Sequence, residues 1–135
     1  MLTNVIAKVL IKFLRIEVVH SIPGRLRIKI TGMEKVEKYF SEQKQSLPET
    51  LSLYKLKGIH TFDLNPLTAK ALIEYDPLVL SEQTIVNWLQ RLQELIIMKF
   101  VAGARRVNQE IIDEIANQIR NEGYELETFS QNTTA

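Results

Sequence analysis

The sequence predicts an α+β fold in which one antiparallel β-sheet is covered by helices on a single face. Residues 25–30 alternate basic and apolar side chains, which is typical of a strand with one buried face. Two apolar runs within residues 59–75 flank the turn Asn65-Pro66-Leu67-Thr68, which predicts a hairpin. Helical periodicity then fills residues 81–122, with a predicted break at Gly103.

The predicted elements follow in the order helix, strand, helix, strand, strand, helix and helix. The middle of this order is the βαββαβ pattern of the ferredoxin-like fold. We predict that residues 17–30 form one long strand, bent at Pro23-Gly24. The sequence leaves open whether a last strand exists at residues 124–129. The remaining predictions are helices at 34–45, 47–55, 81–102 and 105–122 and strands at 59–64 and 70–75.

Composition places the chain among ordinary globular domains and excludes several kinds of chemistry. The 135 residues are 45% apolar and 24% charged, so a single domain with a real core is expected. The net charge of +1 gives no bulk attraction to nucleic acid, and we expect no nucleic-acid partner. Because there is no cysteine, disulfides, thiolate metal sites and thiol nucleophiles are excluded. This composition fits a cytoplasmic protein.

Residues 1–16 are predicted to form an amphipathic helix beside a ferredoxin-like domain with a helical extension at 17–129. Lys8, Lys12 and Arg15 share one face of this helix, and apolar residues cover most of the rest. Charges within the apolar stretch argue against a signal peptide. Two interpretations stay open: the helix docks on the domain or on a second copy, or it lies on a membrane surface. Residues 130–135 are predicted to be a flexible tail.

Three segments carry a resemblance to a known family. They are His20-Ser21-Ile22-Pro23-Gly24-Arg25-Leu26-Arg27, Asn65-Pro66-Leu67-Thr68 and Ile73-Glu74-Tyr75-Asp76-Pro77. Together they resemble the degenerate branch of the heavy-metal-associated domain family over about residues 17–95. The resemblance implies a ferredoxin-like fold and an occurrence alone or beside metal-pumping ATPases.

The metal-binding motif of that wider family is missing from the chain. Its metal-binding members carry Gly-Met-x-Cys-x-x-Cys, and the matching stretch here begins at Gly32-Met33. Lys35 and Lys38 stand at the two thiolate positions. Charged ammonium groups have no lone pair for a metal, so a copper-chaperone function is excluded.

A second, looser resemblance is to the small "domain related to iron" proteins, which implies heme b held by two histidines. His20 and His60 are the chain's only histidines. If the ferredoxin-like order brings their strands two steps apart, the backbones lie roughly 10 Å from each other. Two imidazoles facing each other at that separation are suited to clamping one iron. Arg25 and Arg27 are then expected to hold the heme propionates.

The predicted function is therefore a non-enzymatic heme-binding protein, with His20 and His60 as metal ligands, that senses, buffers or delivers heme. The plainer interpretation is that His60 is a solvated strand residue and that His20 caps the Pro-Gly bend. The alternative function is a cofactor-free interaction module, associated with a membrane transporter or acting as a homo-oligomeric adaptor. The sequence holds no catalytic constellation, so an enzyme is not expected.

Overall fold

The computed structural model describes residues 2–42, 47–101 and 108–127, and it confirms the α+β ferredoxin-like fold class. A four-stranded antiparallel sheet is covered by helices on one face. In chain order the elements are α1 (Leu2–Phe13), β1 (Arg15–Ile22), β2 (Arg25–Thr31), α2 (Met33–Glu42), α3 (Leu47–Leu51), β3 (Lys55–Leu56), β4 (Ile59–Asn65), β5 (Lys70–Tyr75), α4 (Glu82–Val101), α5 (Gln109–Asn121) and β6 (Leu126–Glu127).

The strand order is β1-β2-β5-β4, and every neighbouring pair is antiparallel. The unit β2-α2-β4-β5-α4 supplies most of the ferredoxin-like pattern. In a complete βαββαβ unit, a strand that follows the second helix lies beside the first strand. Here β1, which precedes that unit in the chain, occupies this position beside β2. The two edge strands of the sheet are therefore β1 and β4.

The prediction of one long bent strand at residues 17–30 is wrong. Residues 15–22 and 25–31 form an antiparallel hairpin that reverses direction at Pro23-Gly24. Gly24 adopts a φ of 84°, which the turn requires and which glycine reaches without strain. The backbone N–H of Tyr75 donates to the Gly24 carbonyl at 3.0 Å and ties the turn to β5. A Pro-Gly pair is compatible with a bend and with a reversal, and the apolar pattern on both sides did not distinguish them.

The predicted alternation on β2 is confirmed. Leu26, Ile28 and Ile30 are at most 1% exposed, whereas the basic residues between them are exposed. Burying each of these side chains contributes roughly 1.5–3 kcal/mol. Helix α4 is buried on most of its circumference because it contacts α1, α3, α5 and β1. Its buried residues are Ile85, Trp88, Leu89, Leu92, Gln93, Leu95, Ile96, Ile97, Phe100 and Val101.

The N-terminal helix docks on the domain, as one of the two interpretations predicted. Ala7, Leu10 and Leu14 are buried, and α1 contacts α4 and α2. Val5 and Val9 stay 57% and 46% exposed, so the outer apolar stripe is left uncovered. The helix ends at residue 13, earlier than predicted, because β1 begins two residues later. In the ranges that the structure describes, no helix is long and apolar enough to cross a bilayer.

The C-terminal part differs from its predicted boundaries. Asn108 caps α5, its side chain accepting from the Ile111 N–H at 2.9 Å, and residues 102–107 with the predicted break at Gly103 lie outside the described residues. The last strand, which the sequence left open at residues 124–129, is described at residues 126–127 as β6, which pairs with β3 in a separate two-stranded sheet. Residues 128–135, including the predicted tail, also lie outside the description.

Of the helices predicted at 34–45 and 47–55, the second is shorter in the structure and the end of the first is not described. The first, α2, is described from residue 33 to residue 42, and residues 43–46 lie outside the described ranges. The second, α3, ends at Leu51, and residues 55–56 form β3 where the periodicity predicted helix.

A surface ion pair between α4 and the end of α5 gives a pH-dependent contribution to stability. Arg91 Nε donates to Glu122 Oε1 at 2.8 Å, and Gln118 Nε2 donates to Glu122 Oε2 at 2.7 Å. The Arg91 hydrogen bond, with that of Gln118, lowers the pKa of Glu122. A carboxyl group whose pKa is lower in the folded state stabilises the fold at every pH above its unfolded pKa of about 4.3. This stabilisation is lost as the pH falls through the pKa of the folded state.

We therefore expect Arg91→Gln to lower the free energy of unfolding at pH 7 by at most about 1 kcal/mol, the usual limit for exposed pairs. The difference from wild type should shrink as the pH falls below 4. Urea unfolding of the variant and the wild type at pH 7 and below pH 4 measures this difference in the free energy of unfolding. Lys57→Gln removes the more exposed pair with Glu125 and is the matched control, with a smaller expected change. A difference that is constant with pH would contradict this assignment.

Candidate functional site

The candidate site lies on the sheet face that points away from the helices, which we call the open face. The β2 residues Arg25, Arg27 and Lys29 all project onto it, because the residues between them face the core. None of these three side chains forms an ion pair or hydrogen bond within residues 2–42, 47–101 and 108–127. Glu74 on β5 lies across from Arg25 and Glu17 on β1 lies across from Lys29, without forming ion pairs, whereas Arg27 has no acidic residue across from it on either side. The open face therefore carries a column of positive charge that is strongest at Arg27.

A β-bulge in β1 places His20 on this same face. Val18 pairs with Ile28, whose side chain is buried beneath the sheet, whereas His20 pairs with Arg27. In a regular strand, residues 18 and 20 would share a face, so the extra residue Val19 turns His20 to the other side. The histidine is exposed and stands directly beside a guanidinium-bearing residue.

His20, Ile22, Arg25 and Arg27 line one depression of about 220 Å³. The depression thus combines an imidazole, which binds metals through a ring nitrogen, with two guanidinium groups, which bind carboxylates in a bidentate manner. Ile22 is 47% exposed and adds an apolar surface. Three of the four residues that the sequence singled out for cofactor binding therefore lie together.

His60, the fourth, is not brought to this depression. It occupies a second bulge, between Ile59 and Thr61, at the start of β4, and it is exposed. Because β1 and β4 are opposite edges, three strand spacings of about 4.8 Å separate the two histidine strands by about 14 Å. The expectation that they lie only two strands apart is wrong, because β1 is a separate strand beyond β2. Iron ligation by His60 stays a prediction.

The helix that would carry a thiolate clamp holds no such site. Lys35 Nζ lies 4.6 Å from the centroid of the Phe13 ring, a cation–π contact that joins α2 to α1. Met33, at the start of the motif, is 2% exposed and belongs to the core. Among the described residues, no group of three or more His, Cys, Asp or Glu side chains is placed to hold a metal ion.

The sequence reasoning missed a second depression on the open face, of about 370 Å³. It adjoins the first at Arg27, which lines both. The pairing of β2 with β5 and of β5 with β4 creates it, so only the correct strand order would have revealed it. Its lining residues are Val19, Arg27, Ile28, Asp63, Asn65, Thr68, Lys70, Ala71 and Leu72.

Fold and open face together define a ferredoxin-like α+β domain with one sheet face that the described residues leave uncovered. The heavy metal associated domain 2 family matches residues 4–134, and the chain belongs to this family. Comparison with curated proteins and with solved structures gives no match. Membership of this family supports a metal-related binding or interaction function.

Proposed function

We propose that this chain is a non-enzymatic heme-binding protein that senses, buffers or delivers heme, with His20 as an iron ligand. The observation that carries the proposal is the shared depression of His20, Ile22, Arg25 and Arg27. These residues offer a ligand for iron, an apolar contact for the ring and cations for the propionates. Heme bound there would supply an iron centre and two carboxylates.

The donor set favours heme over a free metal ion. A protein site for a bare ion such as zinc uses three or four side-chain ligands, and the described residues hold no group of three such donors. A porphyrin supplies four nitrogen donors of its own, so a single histidine is sufficient to attach its iron. The two adjacent guanidinium groups, Arg25 and Arg27, form no ion pair in the described ranges, although Glu74 lies across from Arg25 on β5, which leaves them available for propionates.

The shape of the depression favours transient over permanent binding. Its volume of about 220 Å³ is below the roughly 300–1,000 Å³ of pockets that enclose small molecules. A heme attached through His20 would therefore keep much of its surface in solvent. An exposed ligand dissociates and transfers more readily than a buried one, which suits buffering or delivery.

Ligation by both histidines of one molecule is not favoured by the strand order. His20 and His60 lie on opposite edges of the sheet, and the side chains of β2 and β5 stand between them. We therefore propose one histidine ligand per molecule. A six-coordinate bis-histidine iron would need a histidine from a second copy of the chain.

Titration of the purified protein with hemin tests the proposal. We expect a saturable shift of the Soret band at one heme per chain. If His20 is the one protein ligand of the iron, added cyanide should bind the iron and convert it to a low-spin form without displacing the heme. A Soret shift that rises linearly with hemin and never saturates would contradict specific binding.

A further inference from the structure

The open face holds a pair of like charges directly opposite each other. Lys29 on β2 pairs with Lys70 on β5, and Arg27 precedes Lys29 on the same face. Like charges at directly opposed positions destabilise a sheet. None of the three cationic groups forms an ion pair within the described part of the chain. Glu17 on β1 lies across from Lys29 but forms no ion pair with it. The three cationic groups are therefore unpaired in the described ranges of the free protein and available to an anionic ligand.

Polar donors at the β4–β5 turn face the same region. Asn65 Oδ1 accepts from the Leu67 N–H at 2.9 Å, which leaves the Asn65 amide hydrogens without an acceptor among the described residues. The Thr68 hydroxyl oxygen accepts from the backbone N–H of Lys70 at 3.4 Å, and its own hydrogen is likewise free to donate. Asn65, Thr68 and Lys70 all line the second depression.

The two depressions meet along one line across the sheet. His20 pairs with Arg27, Arg27 with Leu72, and Leu72 with Asp63. Arg27 lines both depressions, and Leu72 is half-buried and gives the second one an apolar floor. A flat ligand attached at His20 and extending over Arg27 therefore reaches the donors at the turn.

We infer that the second depression binds a carboxylate of the porphyrin held at His20, with Lys70 as its principal cation and Asn65 and Thr68 as further donors. This inference rests on the proposed heme function. It assigns the two carboxylates to different depressions, one to Arg25 and Arg27 and one to the turn. Asp63 lines the same depression, and its negative charge weakens carboxylate binding there.

Two variants with opposite expected effects test the inference, each with hemin and with hemin dimethyl ester, which lacks both carboxylate charges. Lys70→Gln should weaken hemin binding about three- to fivefold, and Asp63→Asn should strengthen it about threefold, within the range for exposed charge contacts. Both should change the affinity for the ester less than twofold. Lys8→Gln removes another exposed positive charge, on α1, and should change neither affinity.

Equal effects of Lys70→Gln on hemin and its ester would overturn the inference, because the carboxylate would not be what Lys70 recognises. Unchanged hemin affinity in both variants, with binding still dependent on His20, would overturn the inference and leave the heme function standing. Absence of His20-dependent binding in the otherwise unaltered chain would overturn both.

Discussion

Replacing His20 with alanine is expected to weaken heme binding by more than about a hundredfold. Loss of a partner that merely orients a metal ligand costs about 10- to 100-fold in affinity, and loss of the ligand itself should exceed this. The effect on stability should be small, because His20 is exposed on an edge strand. Hemin titration followed at the Soret band, with urea unfolding of the free protein beside it, separates the two quantities.

His60→Ala is the matched control, because it removes the other exposed histidine from the opposite edge strand. It should leave the heme affinity within about twofold of wild type, which is about 0.4 kcal/mol on the scale of affinities. Free imidazole should restore the Soret shift to His20→Ala by replacing the missing ligand. An equal loss of affinity in the two variants would show that both histidines hold the iron.

Replacing Gly32 with alanine is expected to destabilise the fold by about 3 kcal/mol or more, among the larger effects of single substitutions. Gly32 has a φ of 86°, and an added Cβ would collide with the carbonyl group of Phe13 at the end of α1. The Gly32 carbonyl also accepts the N–H groups of Lys35 and Val36 at 3.2 and 3.3 Å, at the start of α2. The backbone here cannot move without displacing both helices.

Gly123→Ala is the control for backbone strain without collision. Its φ is 100°, and an added Cβ would have nothing within 4 Å. We expect it to cost only about 1–2 kcal/mol, the cost of the left-handed conformation for a residue with a Cβ. Urea or thermal unfolding of both variants measures the difference. Equal destabilisation would show that the contact of Gly32 with Phe13 is not what fixes this residue as glycine.

Much of the fold was predictable because its signals are local. The alternation on residues 25–30 gave the buried and open faces of β2, and the hairpin at 59–75 was placed within one residue of its observed bounds. Ser81 marks the start of α4 in the sequence, and its hydroxyl accepts the N–H of Thr84 at 3.1 Å, as expected of a serine before a helix. Each of these features depends on residues no more than a few positions apart.

The sheet order was not predictable in the same way, because it depends on which strands pair. A strand bent at Pro23-Gly24 and two strands joined there have the same local pattern, and only the pairing of β1 along β2 distinguishes them. Because residues 15–22 form a strand of their own, the strands of His20 and His60 lie three spacings apart and not two. The order of strands in a sheet is decided by contacts between residues far apart in the chain.

The candidate site was predictable only where its residues come from one short segment of the chain. His20, Arg25 and Arg27 were singled out from one short segment, and the hairpin holds them in one depression. The bulge at Val19, which turns His20 to the open face, has no sequence signature that we recognised. The depression at Lys70 and Thr68 went unpredicted because it forms only where four strands lie side by side.

The position of bound porphyrin on the open face is the central claim, and NMR with gallium protoporphyrin IX tests it most directly. This diamagnetic analogue of heme shifts amide resonances near its ring. We predict that the largest shifts fall on His20, Ile22, Arg25 and Arg27, whereas the amides of α1 stay in place. Shifts centred on α1 or on His60, with His20 and its neighbours unchanged, would contradict the account.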